Sequence, residues 1–206
     1  DKVLQAISTD TIIIAKDHTD AKRVSSSGNT SIQVVLDAYT GMGLAQAQPK
    51  SESWDIEVAL KEFAGPAASL NPNVYVKADA ADNIRLAVRR MGWHFESSLE
   101  NFWPHNAVQE RWIATIKSVM RTANLQGGAP PAAWDGSASY SSVALAITKP
   151  ASILPYERDA NGQILASCPK IGKTCWEAFH GEKFSGPIQP YLRLCYYRDP
   201  NAHPLQ

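Results

Sequence analysis

Trp103-Pro104-His105-Asn106-Ala107-Val108-Gln109-Glu110-Arg111-Trp112 is the stretch on which the reading of this chain turns. It opens an amphipathic helix whose first turn carries a carboxylate, Glu110. Ile113, Ile116, Met120 and Ala123 recur at helical spacing, which predicts a helix from 106 to about 124 with those four on its core stripe. Glu110, Ala114, Lys117 and Arg121 fall at i, i+4, i+7 and i+11, so one acid and two cations share a face.

Two further acids lie upstream on separate elements. Asp79 ends the apolar run Val74-Tyr75-Val76-Lys77-Ala78, about thirty residues before Glu110. Asp10 sits inside Ile7-Ser8-Thr9-Asp10-Thr11-Ile12-Ile13-Ile14, a strand by its β-branched content. Phosphoryl transfer by two metals needs such carboxylates, because Mg²⁺ prefers oxygen ligands and two ions must be held about 3.5–4 Å apart. One ion activates the attacking oxygen and the other stabilises the leaving oxygen. Each acid also has an ordinary reading. Asp at a strand end is a common turn former, and Glu in a first helical turn is favoured by the helix dipole. Asp10 fits the ordinary reading least, flanked by Thr9, Thr11 and isoleucines. Lys117 and Arg121 suit a phosphate backbone beside the acids, or a solvated basic helix face.

The other elements follow outward. Ile32-Gln33-Val34-Val35-Leu36-Asp37 and residues 44–48 read as strands joined by the tight turn Tyr39-Thr40-Gly41-Met42-Gly43, an antiparallel hairpin. Ser53 is placed to cap a helix carrying Ile56, Leu60 and Phe63 on one face, with Gly65-Pro66 as its stop. Residues 82–91 look helical and close at Gly92; Trp93-His94-Phe95-Glu96 is a short fifth strand. A last helix fits 132–147, ended by Lys149-Pro150. The order strand–strand–strand–helix–strand–helix–strand–helix predicts an α/β fold, a mixed sheet flanked by helices. Residues 150–206, rich in Pro, Gly and aromatics, are expected to form a less regular extension packed on a core of residues 1–149.

With 206 residues, 44% hydrophobic and 19% charged, the composition is globular. Lys plus Arg and Asp plus Glu balance at 20 each, which disfavours a dedicated stand-alone nucleic-acid binder without excluding a local basic face. No apolar run reaches a membrane span, and the start is not a signal peptide; it reads as part of a longer polypeptide. Three cysteines, Cys168, Cys175 and Cys195, an odd and low count, suggest a reducing compartment without a disulfide framework and ordinary free thiols, with a structural zinc the alternative; the expected location is nuclear or cytoplasmic. Cys168 and Cys175 have no His following at zinc-ligand spacing.

The segment from Gly92 to Arg111 resembles the catalytic core of retroviral-type integrases, most closely those of copia-type LTR retrotransposons. In that family a Gly precedes the catalytic Glu by eighteen residues, and Asn-Gly-x-x comes just before the Glu and Arg after it. Gly92 and Glu110 have the eighteen-residue separation, with Asn106-Ala107-Val108-Gln109-Glu110-Arg111. Further segments resemble the family in order: Asp37-Ala38-Tyr39-Thr40, Lys50-Ser51-Glu52, Val76-Lys77-Ala78-Asp79, Ala133-Trp134, Lys173-Thr174-Cys175-Trp176-Glu177-Ala178-Phe179-His180-Gly181, and Leu192-Arg193-Leu194-Cys195-Tyr196-Tyr197. The chain also departs from it: the Pro-rich approach to the Glu is altered to Phe102-Trp103-Pro104-His105, and the interval from Asp79 to Glu110 is a little short. The family's Asn-Gly-Gly-Glu-Phe after the second Asp is Ala80-Ala81-Asp82-Asn83-Ile84 here, and its Gly after Asn is Ala107.

The resemblance implies an RNase H-like fold with a five-stranded sheet. It implies a metal-binding catalytic triad of Asp10, Asp79 and Glu110 using Mg²⁺ or Mn²⁺, with Asp37 a structural turn residue. The implied activity is 3′-end processing and strand transfer, a polynucleotidyl transferase and nuclease chemistry. Its partners would be double-stranded DNA ends and target DNA, contacted by Lys117, Arg121 and Asn106, in a homo-oligomer with no membrane. The alternative is a domesticated or decayed integrase-like domain that serves as a non-catalytic binding or structural subunit. The neutral charge and the altered segment after Asp79 point that way.

Overall fold

β-Branched and apolar residues build a five-stranded sheet from β1 (Ala6–Ile13), β2 (Ser31–Asp37), β3 (Gly43–Gln48), β4 (Tyr75–Ala78) and β5 (His94–Ser97). The structure is a computed structural model that describes residues 3–20, 22–69, 71–98, 107–152, 161 and 170–192, with the backbone alone at 67–69. The strand order is β3-β2-β1-β4-β5. β1–β2 and β2–β3 pair antiparallel, while β1–β4 and β4–β5 pair parallel. This is the mixed sheet expected from the order of elements. Parallel pairs need crossovers, and these are made by α1 (Ser53–Ser69), between β3 and β4, and α2 (Asp82–Arg90), between β4 and β5.

Helices cover both faces. On one, Ile7, Val35, Val76 and Ala78 of the sheet pack with Ile56 and Leu60 of α1 and Ile84 and Val88 of α2. On the other, Ile12, Ile32, Val34 and Leu36 pack under α3 (Ala107–Gly127) and α4 (Trp134–Thr148). Alternation along β1 assigns the faces: Ile7 points to the first, and Ser8, Asp10 and Ile12 to the second.

Two local expectations change in detail. The α1 path breaks at Gly65 (φ 74°, ψ 170°), but helical turns resume at Pro66 and run to Ser69. Proline's fixed φ and missing N–H suit a new first turn, so Gly65-Pro66 kinks the helix instead of ending it. The buried side of α3 is Gln109, Trp112, Ile116, Met120 and Ala123, with Ile113 only partly covered. Trp112 takes the place expected for Ile113 because its indole lies against Gly43 of β3. A Cβ on Gly43 would stand 2.3 Å from the Trp112 ring. Burying Ile116 and Met120 contributes about 1.5–3 kcal/mol each.

Several described residues beyond 150 contact the sheet and its helices. A short helix, α5 (Cys175–His180), starts with a capping box between Thr174 and Glu177. Phe179 meets Phe63 of α1 at 5.4 Å between ring centroids. The Lys170 ammonium donates to the Tyr39 carbonyl at 2.8 Å and lies over the Tyr39 ring. Cys175 is a buried free thiol whose pKa burial raises. Cys168 and Cys195 lie outside the described residues.

Candidate active site

The sheet's backbone ladder brings two of the acids together. β1 and β4 run parallel in the register Ala6–Tyr75, Ile7–Val76 and Ser8–Lys77. Carried two residues further, that register sets Asp10 level with Asp79, just past the end of β4. Side chains level with one another on adjacent strands point to the same face. Both acids therefore face the α3 side.

A side-chain hydrogen bond brings in the third. The Ser8 hydroxyl, two residues before Asp10 on the same face, donates to Gln109 Oε1 at 2.7 Å. Gln109 is buried in the first turn of α3, and Glu110 follows it, half-buried. Ser8 and Gln109 were not singled out from the sequence. The signal for Ser8 was present: in a strand, the residue two before a candidate ligand shares its face.

Burial is the main cause of a raised pKa at Asp10. The Thr11 backbone N–H, donating to Asp10 Oδ1 at 2.7 Å, works against it. The charge of Asp79 pushes the value up again, Lys117 draws it down, and Glu110 pushes it up. Asp10 therefore feels both other acids and one cation of the α3 face. Lys117 is exposed, and Arg121 lies exposed one turn further along α3. Asn106 lies outside the described residues. Among the described residues no three His, Cys, Asp or Glu side chains are gathered closely enough to hold one metal ion. The acids are electrostatic neighbours without forming a closed cage. Their donor chemistry, three carboxylates on rigid elements, still fits a hard divalent cation. The mutual repulsion felt at Asp10 is of the kind a cation relieves.

Asp37 has a different role. Buried at the β2–β3 corner, it accepts from the Leu4 N–H at 2.9 Å, the Thr40 N–H at 2.9 Å and the Thr40 hydroxyl at 2.6 Å. Burial raises its pKa despite these bonds and the nearby Lys170 charge. Each of these bonds holds a turn or the entering chain.

No protein-family model matches the chain, and no curated protein does. Solved structures do. A chain of the simian T-cell lymphotropic virus intasome, in complex with the PP2A regulatory subunit B56 gamma, aligns with 97% of this chain at 13% identity and a TM-score of 0.58. The HTLV-2 integrase catalytic core domain, in complex with magnesium in a trimeric form, aligns with 87% at 13% identity and a TM-score of 0.53. The BIV integrase catalytic core aligns with 86% at 14% identity and a TM-score of 0.52. The fold is that of retroviral integrase catalytic cores.

The chain spans 59% of the length of the intasome chain, but 98% and 95% of the two isolated core domains. At these identities the likeness to integrase cores is one of fold, and function has to be argued from the site. The five-stranded order β3-β2-β1-β4-β5, with helices on both faces, is the RNase H-like layout. Among the described residues no helix is long and apolar enough to cross a membrane.

Proposed function

We propose that this chain is a polynucleotidyl transferase core of the copia-type LTR retrotransposon integrase kind, acting on DNA. The observation that carries the reading is that Asp10 is flanked by the charges of Asp79, Glu110 and Lys117 on one face of an integrase-core sheet. Asp10, Asp79 and Glu110 would hold two Mg²⁺ or Mn²⁺ ions. When bound, such ions supply the positive charge that activates an attacking oxygen and stabilises a leaving oxygen at phosphorus.

The chain's own residues supply position. Asp10 is fixed mid-strand, Asp79 at the end of the neighbouring strand, and Glu110 in a helix turn held to β1 by Ser8 and Gln109. Lys117 offers its ammonium to a DNA phosphate beside the acids, and Arg121 and Asn106 extend that grip. Water attacks first, breaking a phosphodiester bond and leaving a 3′-hydroxyl. That hydroxyl then attacks a phosphodiester of target DNA, releasing a second 3′-hydroxyl as leaving group. No covalent protein intermediate is needed, so catalysis is positioning and electrostatic stabilisation. Residues 1–149 would form the catalytic unit and 150–206 its extension. The working form would be a homo-oligomer on paired DNA ends, in the nucleus or cytoplasm.

The open arrangement of the acids favours a second reading, a non-catalytic binding or structural subunit. Incubation with Mn²⁺ and a pre-processed DNA end separates the two. Cleavage or joining that Asp79→Asn abolishes supports the enzyme. Activity that survives Asp79→Asn removes Asp79 from the site. No activity, together with no Mn²⁺ binding dependent on Asp10, supports the subunit.

A further inference from the structure

The strand that leads to Asp79 carries an exposed aromatic pair with no role in the chemistry above. Tyr75 and His94 are register partners across β4 and β5, and their rings stack with centroids 4.8 Å apart at 21°. Tyr75 is 49% exposed, and His94 is exposed as well. The next pair along the same face is Lys77 and Glu96, both exposed. Val76 and Ala78 point to the opposite face, into the core. Tyr75, Lys77 and Asp79 therefore form one open row on the sheet, with Asp79 at its end. At about 3.3 Å per residue the row is about 13 Å long. At about 3.4 Å per stacked nucleotide, it is the length of roughly four nucleotides.

A tyrosine on an ordinary exposed strand face gains little from burial. Two π-rings already stacked and half open to water present a ready flat surface, and a nucleobase has the matching face. Lys77 and Glu96 oppose each other in charge, so this part of the row is close to neutral and offers phosphates little net attraction. Binding here would rest on ring stacking, which suits bases that are exposed, as in an unpaired strand, and not bases sealed in a duplex. Lys117, across the acids, supplies the phosphate-directed cation.

We propose that the Tyr75–His94 pair is a stacking platform for an unpaired DNA strand that runs along β4 to Asp79. The proposal rests on the nucleic-acid reading above and specifies the substrate form: a frayed or single-stranded end next to the reacting phosphate.

The test measures binding of the full chain to a fluorescein-labelled thymidine single strand by anisotropy, with EDTA present so that no cleavage intervenes. Tyr75→Leu keeps apolar bulk on β4 and removes the aromatic plane; Tyr75→Phe keeps the plane. Tyr75→Leu and His94→Ala should each weaken single-strand binding at least about fivefold, the lower end for loss of one stacked base, with Tyr75→Phe near native. Blunt duplex binding should change less. Native-like single-strand binding by a folded Tyr75→Leu protein overturns the platform, as does an equal loss for duplex. If cleavage dependent on Asp79 persists while binding ignores Tyr75, the platform fails and the enzyme stands. If binding depends on Tyr75 but no cleavage depends on Asp79, the enzyme fails and the platform stands.

Discussion

The Ser8 hydroxyl donates to Gln109 Oε1 at 2.7 Å, joining the middle of β1 to the first turn of α3 across a hundred residues of sequence. The bond is buried, two residues from Asp10 and one from Glu110. It is a side-chain link between the two elements that carry those acids. Ser8→Ala leaves a buried amide oxygen without this donor, a loss of about 1–3 kcal/mol. Urea denaturation should show that loss. DNA cleavage should fall further than the stability change explains, because Glu110 loses its tether. A Ser8→Ala protein with native stability and native cleavage would show that the bond positions nothing.

Gly43 and Trp112 make another contact that seats α3. Gly43→Ala puts a methyl group 2.3 Å from one indole carbon and 2.5 Å from another, so the ring or the strand must move. Overpacking of this kind costs about 1–3 kcal/mol. The expected outcome is a lower denaturation midpoint and altered tryptophan fluorescence. Unchanged fluorescence and midpoint would place Trp112 off β3.

Acid should loosen the start of α4. Burial pushes the Asp135 carboxyl up, but hydrogen bonds from Ser25, the Gly136 N–H, Ser27 and Asn29 outweigh it and hold the pKa below the usual carboxylate range. A lowered folded value means that the ionised form is favoured by folding. Its stabilising contribution is present above the usual carboxylate pKa and is lost as pH falls through the lower folded value. Unfolding free energies compared between pH 6 and pH 3 for native protein and Asp135→Asn should converge toward acid. A gap that stays constant with pH would refute the assignment.

Most of the layering was legible because it is written in local periodicity. The isoleucine-rich run of β1, the Gly-containing turn after Asp37 and the spaced apolar residues of α3 each signal their own element. Cross-strand and cross-layer contacts were less legible, since they depend on register. Nothing local marks Gln109 as buried; an amide in a first helical turn ordinarily faces water. Trp112 and Ile113 are adjacent, and which one enters the core depends on a glycine nearly seventy residues away. Tyr75 and His94 become partners only once β4 and β5 align. The candidate site divides in the same way. Asp10, Asp79 and Glu110 were legible from element order and from resemblance, whereas the Ser8–Gln109 fastening depends on tertiary contact.

The register of β1 against β4 has a mechanical consequence. Asp10 lies inside β1 and Asp79 directly follows the end of β4, so the paired strands position both backbones. Glu110 is carried on a separate element, the start of α3, where Gln109 bonds to β1 and Trp112 lies against β3. The spacing of Glu110 from the other two acids therefore depends on how the start of α3 seats on the sheet.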